Sequence, residues 1–175
     1  MRKVILFAIC GIAFLAGCGN QANKTSSVPA TPKWKVPYRL AFDTTAAKPS
    51  QADANLPPIK YTANPDALET RVSLVVRFDA SGVKKDTPLM DQVIIGPFDI
   101  HGAEGAISAD NMDLANKGLT KLLGAYCMKG KVKVNVALAR SSLSPQAPDA
   151  EVDAKRLSDW LPIDVTLKTP HKGGC

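Results

Sequence analysis

The stretch SADNMDLANKGLTKLLGAYCMKGKVKVNVAL (residues 108–138) changes its hydrophobic period once, and that change sets the fold class. In its first part Met112, Ala115, Leu119, Leu122 and Tyr126 follow at steps of three and four, one face of an α-helix. Ser108 is placed to cap it, Asp110 and Asp113 suit the positive end of its dipole, and Gly124 weakens its end. In the second part Val132, Val134, Val136 and Leu138 alternate with Lys131, Lys133 and Asn135, so one face of a strand is buried and the other is wet.

Working outward, RVSLVVRF (71–78) reads as a central strand, and Asp91 to Ile100 as a second one with a bulge or bend at Gly96-Pro97. Trp34 to Phe42 alternates loosely and suits an edge strand, because Pro37 lacks a ladder donor. Residues 43–69, with Pro57-Pro58, read as a long ordered loop, and residues 141–148 as another. Asp149 to Trp160 suits a short helix, and Ile163 to Leu167 a last strand. No internal repeat is present. The expected fold is α+β: a mostly antiparallel sheet of about five strands with one long helix packed on it. The alternative is a β-sandwich with the helix as an appendage.

The N-terminus is a different kind of segment. Arg2 and Lys3 precede an apolar run from Val4 to Ala16, broken only by Gly11. Thirteen helical residues rise about 20 Å, too short for a hydrocarbon core of about 30 Å. A charged start, a short apolar run and small residues describe a secretory signal peptide. Its end, Leu15-Ala16-Gly17-Cys18, resembles the lipobox of bacterial lipoproteins. The resemblance implies cleavage before Cys18, a diacylglycerol thioether on its sulfur and, usually, acylation of the new amino terminus. Gly19 stands where aspartate usually marks inner-membrane retention in that family, which implies the outer membrane of a Gram-negative cell, facing the periplasm. The expected organisation is a signal peptide at 1–17, a lipidated cysteine and disordered tether at 18–33, and one globular domain at 34–175. The tether is expected from its Asn, Gln, Thr, Ser, Pro and Ala, which offer almost nothing to bury.

Of the four cysteines, Cys10 leaves with the signal and Cys18 takes lipid, so Cys127 and Cys175 remain. In an oxidising compartment such a pair is expected to form a disulfide that pins the C-terminal tail. A metal-binding or reactive thiol pair is the alternative, without a CxxC spacing or a neighbouring histidine to favour it. The chain carries 22 Lys and Arg against 16 Asp and Glu. Loss of Arg2 and Lys3 leaves a mild excess of cations. No arginine-rich stripe with interleaved aromatics is present, which argues against a nucleic-acid partner.

The sequence holds two histidines, His101 and His171, and no HExxH, GxSxG, Walker or GxGxxG motif. Asp43, Asp79, Asp99 and Asp164 fall near expected strand ends, where aspartate is an ordinary turn residue, although paired carboxylates could serve glycan hydrolysis. Asp149, Glu151 and Asp153 alternate without the glycine and terminal glutamate of a calcium loop, and read as acidic charge at a helix start. Trp34 and Tyr38, among Lys33, Lys35 and Arg39, could meet lipid headgroups or a partner, or simply dock the first strand. Trp160 reads as core. No residue is assigned a catalytic, cofactor or metal role, and no cofactor is expected.

An anchor, a tether and one domain without a catalytic motif suit a non-catalytic protein-binding module. In architecture this is similar to immunity lipoproteins that neutralise envelope-targeting, lipase-like toxins delivered by type VI secretion. Its expected contacts are the membrane, through Cys18, and a protein, either a toxin or an envelope assembly component. A structural accessory subunit of an outer-membrane or secretion assembly has the same requirements. An envelope hydrolase, with Asp99 or Glu104 in its site, is the third class.

Overall fold

In a computed structural model of the chain, residues 35–43, 45, 55–78 and 90–167 are described. Seven strands and two helices follow in the order β1 (Tyr38–Phe42), β2 (Ile59–Ala63), β3 (Arg71–Phe78), β4 (Gln92–Asp99), β5 (Glu104–Ala106), α1 (Ala109–Ala125), β6 (Gly130–Arg140), α2 (Asp149–Ala154) and β7 (Leu161–Leu167). The strands form two antiparallel sheets, β1-β2-β5 and β4-β3-β6-β7. The fold is α+β with a helix packed on the larger sheet.

The expected count of about five strands in one sheet is corrected to seven in two. β2 lies within 43–69, where the sequence predicts a loop. Its five residues follow Pro57-Pro58 and acquire strand partners only through β1 and β5. β5 is three residues long and is defined by its pairing with β2. β1 begins at Tyr38 rather than Trp34, so Pro37 stands outside the ladder and its carbonyl accepts from the Asn64 N–H at 2.7 Å.

α1 forms as its sequence dictates. Ser108 accepts from the Asn111 N–H, and Met112, Ala115, Leu119 and Leu123 are buried. Leu123 thus takes the inner position, and Leu122 packs at its side, half-buried. Gly118 lets the helix sit close on the sheet, because a Cβ there would come within 2.6 Å of Val93 Cγ1. Inside, Val72, Leu74, Val76 and Phe78 of β3 meet Val132, Val134, Val136 and Leu138 of β6, the buried face of α1, and Tyr38, Ile59 and Tyr61 of the smaller sheet. Phe78 and Tyr126 pack edge to face with centroids 4.8 Å apart, an arrangement worth about 1 kcal/mol beyond burial.

The larger sheet also buries part of its other face. There Val75 and Ala139 pack with Leu143, Ala147 and Val152, from the segment that carries α2. That is why β6 departs from strict alternation at Ala139. Opposite Ser73, β4 carries one extra residue at Gly96-Pro97, whose peptide bond is cis. Gly96 has φ 130°, and a Cβ would lie 3.1 Å from Val72 O, so glycine is required at this bulge. Residues 155–158 tie the sheets together: Leu157 N–H donates to Leu138 O, while Leu157 O accepts from Tyr38 N–H.

Candidate binding face

The outward side of the larger sheet is where α2 stops covering it. Side chains at alternate positions share this side, and one row crosses all four strands: Gln92, Arg77, Asn135 and Pro162. Arg77 is the hub of its covered half. Its Nε and Nη2 donate to Gln92 Oε1 at 3.2 and 3.0 Å, and its guanidinium pairs with Asp149 at 3.4 Å and Asp153 at 3.5 Å. Gln92, 5% exposed, donates in turn to the Ala147 carbonyl at 2.7 Å. Arg77 and Arg156 both lie against the Trp160 ring, at 4.6 and 5.1 Å from its centroid. Arg156 also pairs with Asp153 at 3.4 Å. On one flank is a shallow groove of about 230 Å³ lined by Met90, Asp91, Gln92, Gln146, Ala147, Pro148 and Asp149.

The uncovered half belongs to β6 and β7. Lys131, Lys133, Pro162, Asp164 and Thr166 are exposed there and Asn135 is half-exposed. Lys133 is the register partner of Asp164, but the short ion pair runs diagonally, from Lys131 Nζ to Asp164 at 2.8 Å. That hydrogen bond, with the charges of Lys131 and Lys133, holds the Asp164 carboxyl below its ordinary range. The face therefore carries two lysines against one carboxylate beside an arginine-flanked tryptophan.

The carboxylates singled out in the sequence do not converge. Asp164 lies in mid-strand rather than at a strand end. Asp43 follows β1, where the Thr45 hydroxyl and Lys60 hold its carboxyl well below the carboxylate range. Asp99 faces Arg71 across the β3–β4 ladder, and Glu104 faces Thr62. His101 contributes backbone: its N–H and carbonyl both bond the Tyr61 hydroxyl. Asp149 and Glu151 lie in the first turn of α2 as helix-start charge, whereas Asp153 falls in its last turn; Asp149 and Asp153 pair with Arg77, and Glu151 pairs with Lys155 at 2.8 Å. Among the described residues, no group of three or more His, Cys, Asp or Glu could hold a metal ion.

Tyr38 docks the first strand, with 3% exposure and its hydroxyl donating to the Glu69 carbonyl. Burial first, then the charge of Glu69, pushes that hydroxyl's pKa up. Trp160 is half-buried: it packs against the second hydrophobic cluster, as its core reading expects, and both the Arg77 and Arg156 guanidiniums lie against its ring. Cys127 is disulfide-bonded, and its expected partner Cys175 lies outside the described residues, as do Cys18, Lys33, Trp34, Asp79 and His171. No helix among the described residues is long and apolar enough to cross a membrane.

No motif or periodicity singles out Arg77. The signal was available in RVSLVVRF, since an arginine at an outward position of a central strand needs partners there. Comparisons with protein-family models, curated proteins and solved structures find no match.

Proposed function

We propose that the chain is a lipoprotein of the Gram-negative outer membrane, anchored through Cys18, whose domain is a non-catalytic protein-binding module. Its role on this reading is immunity: it holds and neutralises an envelope-targeting, lipase-like toxin delivered by type VI secretion. The observation that carries the binding role is the Arg77–Trp160–Arg156 stack beside the open β6–β7 face. Tryptophan and arginine dominate binding hot spots, and the packing of Arg77 and Arg156 against the Trp160 ring leaves these side chains little entropy to lose on association. The anchor rests on the lipobox resemblance, and the toxin on similarity of architecture.

The test is a crosslinked pull-down of the lipidated, full-length protein from its own envelope, read by mass spectrometry. One stoichiometric toxin-like or lipase-like protein is expected, with recovery falling about tenfold in Lys133→Glu, which reverses one charge of the face. Recovery of secretion or assembly components instead would replace immunity with an accessory-subunit role. Undiminished recovery from Lys133→Glu would move the binding face elsewhere.

A further inference from the structure

Leu68 is 88% exposed, although the connection that carries it, residues 64–70, is pinned on both sides. Before it, Asn64 N–H donates to Pro37 O at 2.7 Å, Ala67 N–H donates to Asn64 O at 2.8 Å, and Ala67 packs against the core. After it, the Glu69 carbonyl accepts from the Tyr38 hydroxyl, the Glu69 carboxylate pairs with Arg140 at 3.1 Å, and Thr70 O accepts from Ile100 N–H at 2.8 Å. Leu68 cannot turn inward without breaking this frame. Isolated exposed leucines are common. This one is set apart by its rigid frame and its place, for the frame is bonded to Pro37 and Tyr38, where the chain arriving from residues 18–34 enters β1.

We propose that Leu68 is an apolar knob that seats this end of the domain on the lipid surface of the bilayer in which Cys18 is anchored. The inference rests on the lipid-anchored reading above. Three lines of argument select lipid as the occupant. The expected tether, 15 residues from Gly19 to Lys33, reaches at most about 50 Å even fully stretched, so the bilayer is always within range of this end. Tethering also makes the contact intramolecular in effect, so a single side chain suffices where it could never recruit a free protein. Finally, the sheet runs away from this end. Arg77 stands six residues along β3, about 20 Å away, and Lys131 stands nine residues along β6 from Arg140, about 30 Å away. Seating Leu68 on lipid holds the β6–β7 face out towards the periplasm.

Arg140 pairs with Glu69 at 3.1 Å and Arg71 faces Asp99 across the β3–β4 ladder, so the charges beside Leu68 stand in opposite pairs. The seat is therefore apolar, and it is insensitive to salt and to lipid charge.

The test uses the full-length lipidated protein in vesicles of phosphatidylethanolamine and phosphatidylglycerol whose acyl chains are brominated near the headgroup. Quenching by bromine is read as the difference between each variant and the parent, which removes the constant signal of Trp34 and Trp160. Leu68→Trp should gain a component quenched about twofold, unchanged in high salt or in vesicles without phosphatidylglycerol, while Leu114→Trp on α1 gains none. If the parent sediments with vesicles but Leu68→Trp is not quenched, the knob is overturned and the anchor stands. Loss of binding to a protein partner on Leu68→Asp, without lipid quenching, would likewise overturn it in favour of a protein pocket. If the parent fails to sediment, or Cys18→Ala sediments equally well, the anchored reading falls first and the knob with it.

Discussion

The Arg77 guanidinium lies 4.6 Å from the centroid of the Trp160 ring, and the two residues together clamp α2 onto the outer side of the larger sheet. Arg77 also holds Gln92 and both Asp149 and Asp153, so with Trp160 it joins β3, β4, α2 and the residue that precedes β7. Arg77→Met keeps the packed stem but leaves Gln92 Oε1 buried without its donor. A loss of about 2 kcal/mol in urea unfolding is expected, from the orphaned acceptor more than from the half-exposed ion pairs. A double-mutant cycle with Trp160→Leu should return a coupling of about 1 kcal/mol. Additivity within a few tenths would show that the ring and the guanidinium are neighbours without mutual stabilisation.

Asp164 makes the pH dependence of the open face specific. Its folded pKa is lowered, first by the hydrogen bond from Lys131 and then by the charges of Lys131 and Lys133. A carboxyl lowered on folding contributes stability that is present above its unfolded pKa and is lost as pH falls through the folded one. The affected window is therefore acidic, below about pH 4, and neutral pH leaves the pair intact. Carboxyl-carbon NMR titration of Lys131→Ala should return Asp164 most of the way to its ordinary value, and Lys133→Ala should move it less. A larger effect from Lys133, the register partner, would mean that the diagonal pair is not the dominant contact.

How far the fold could be read depended on whether a residue's surroundings were local. The Ser108 cap, the inward face of α1, the alternation from Val132 to Val136 and the bulge at Gly96-Pro97 all follow from neighbours a few positions away. β2 and β5 were hidden because strands of five and three residues exist only through pairing, and because prolines precede β2. The second buried cluster was hidden for a related reason. Ala139 looks neutral in sequence until Leu143, Ala147 and Val152 come to pack with it. The candidate face was half legible: Lys131 and Lys133 declared themselves by alternation. Arg77 and Trp160 did not, since nothing local links residues so far apart in the chain.

Gly118 opposes helix propensity to packing. In an exposed helix interior, Gly→Ala stabilises by about 1 kcal/mol. Here the new Cβ would stand 2.6 Å from Val93 Cγ1, a stiff β-branched side chain on β4. Overpacking of this kind costs about 1–3 kcal/mol, so Gly118→Ala should be net destabilising in thermal or urea unfolding. The pair Gly118→Ala with Val93→Ala should recover part of the loss, because the second change removes the offending methyls. A single Gly118→Ala that stabilises would mean that α1 can lift from β4 without penalty.

Cys127 closes α1 in a conformation that its side chain resists. Its φ is 52°, its N–H donates to Gly124 O at 3.0 Å, and the Met128 N–H reaches back to Leu123 O at 3.0 Å. These bonds form the helix-ending motif in which the residue after the cap is left-handed and is usually glycine. Cysteine here carries a backbone cost of about 1 kcal/mol, which the stabilisation from its disulfide offsets. Two substitutions separate the terms. Cys127→Ala and Cys127→Gly lose the same covalent link, but glycine alone relieves the left-handed strain. Cys127→Gly is therefore expected to be about 1 kcal/mol more stable than Cys127→Ala in urea unfolding under identical oxidising conditions. Equal stabilities would mean that the helix end relaxes once the disulfide is gone, so that the disulfide, rather than the hydrogen bonds to Gly124 and Leu123, imposes the left-handed turn.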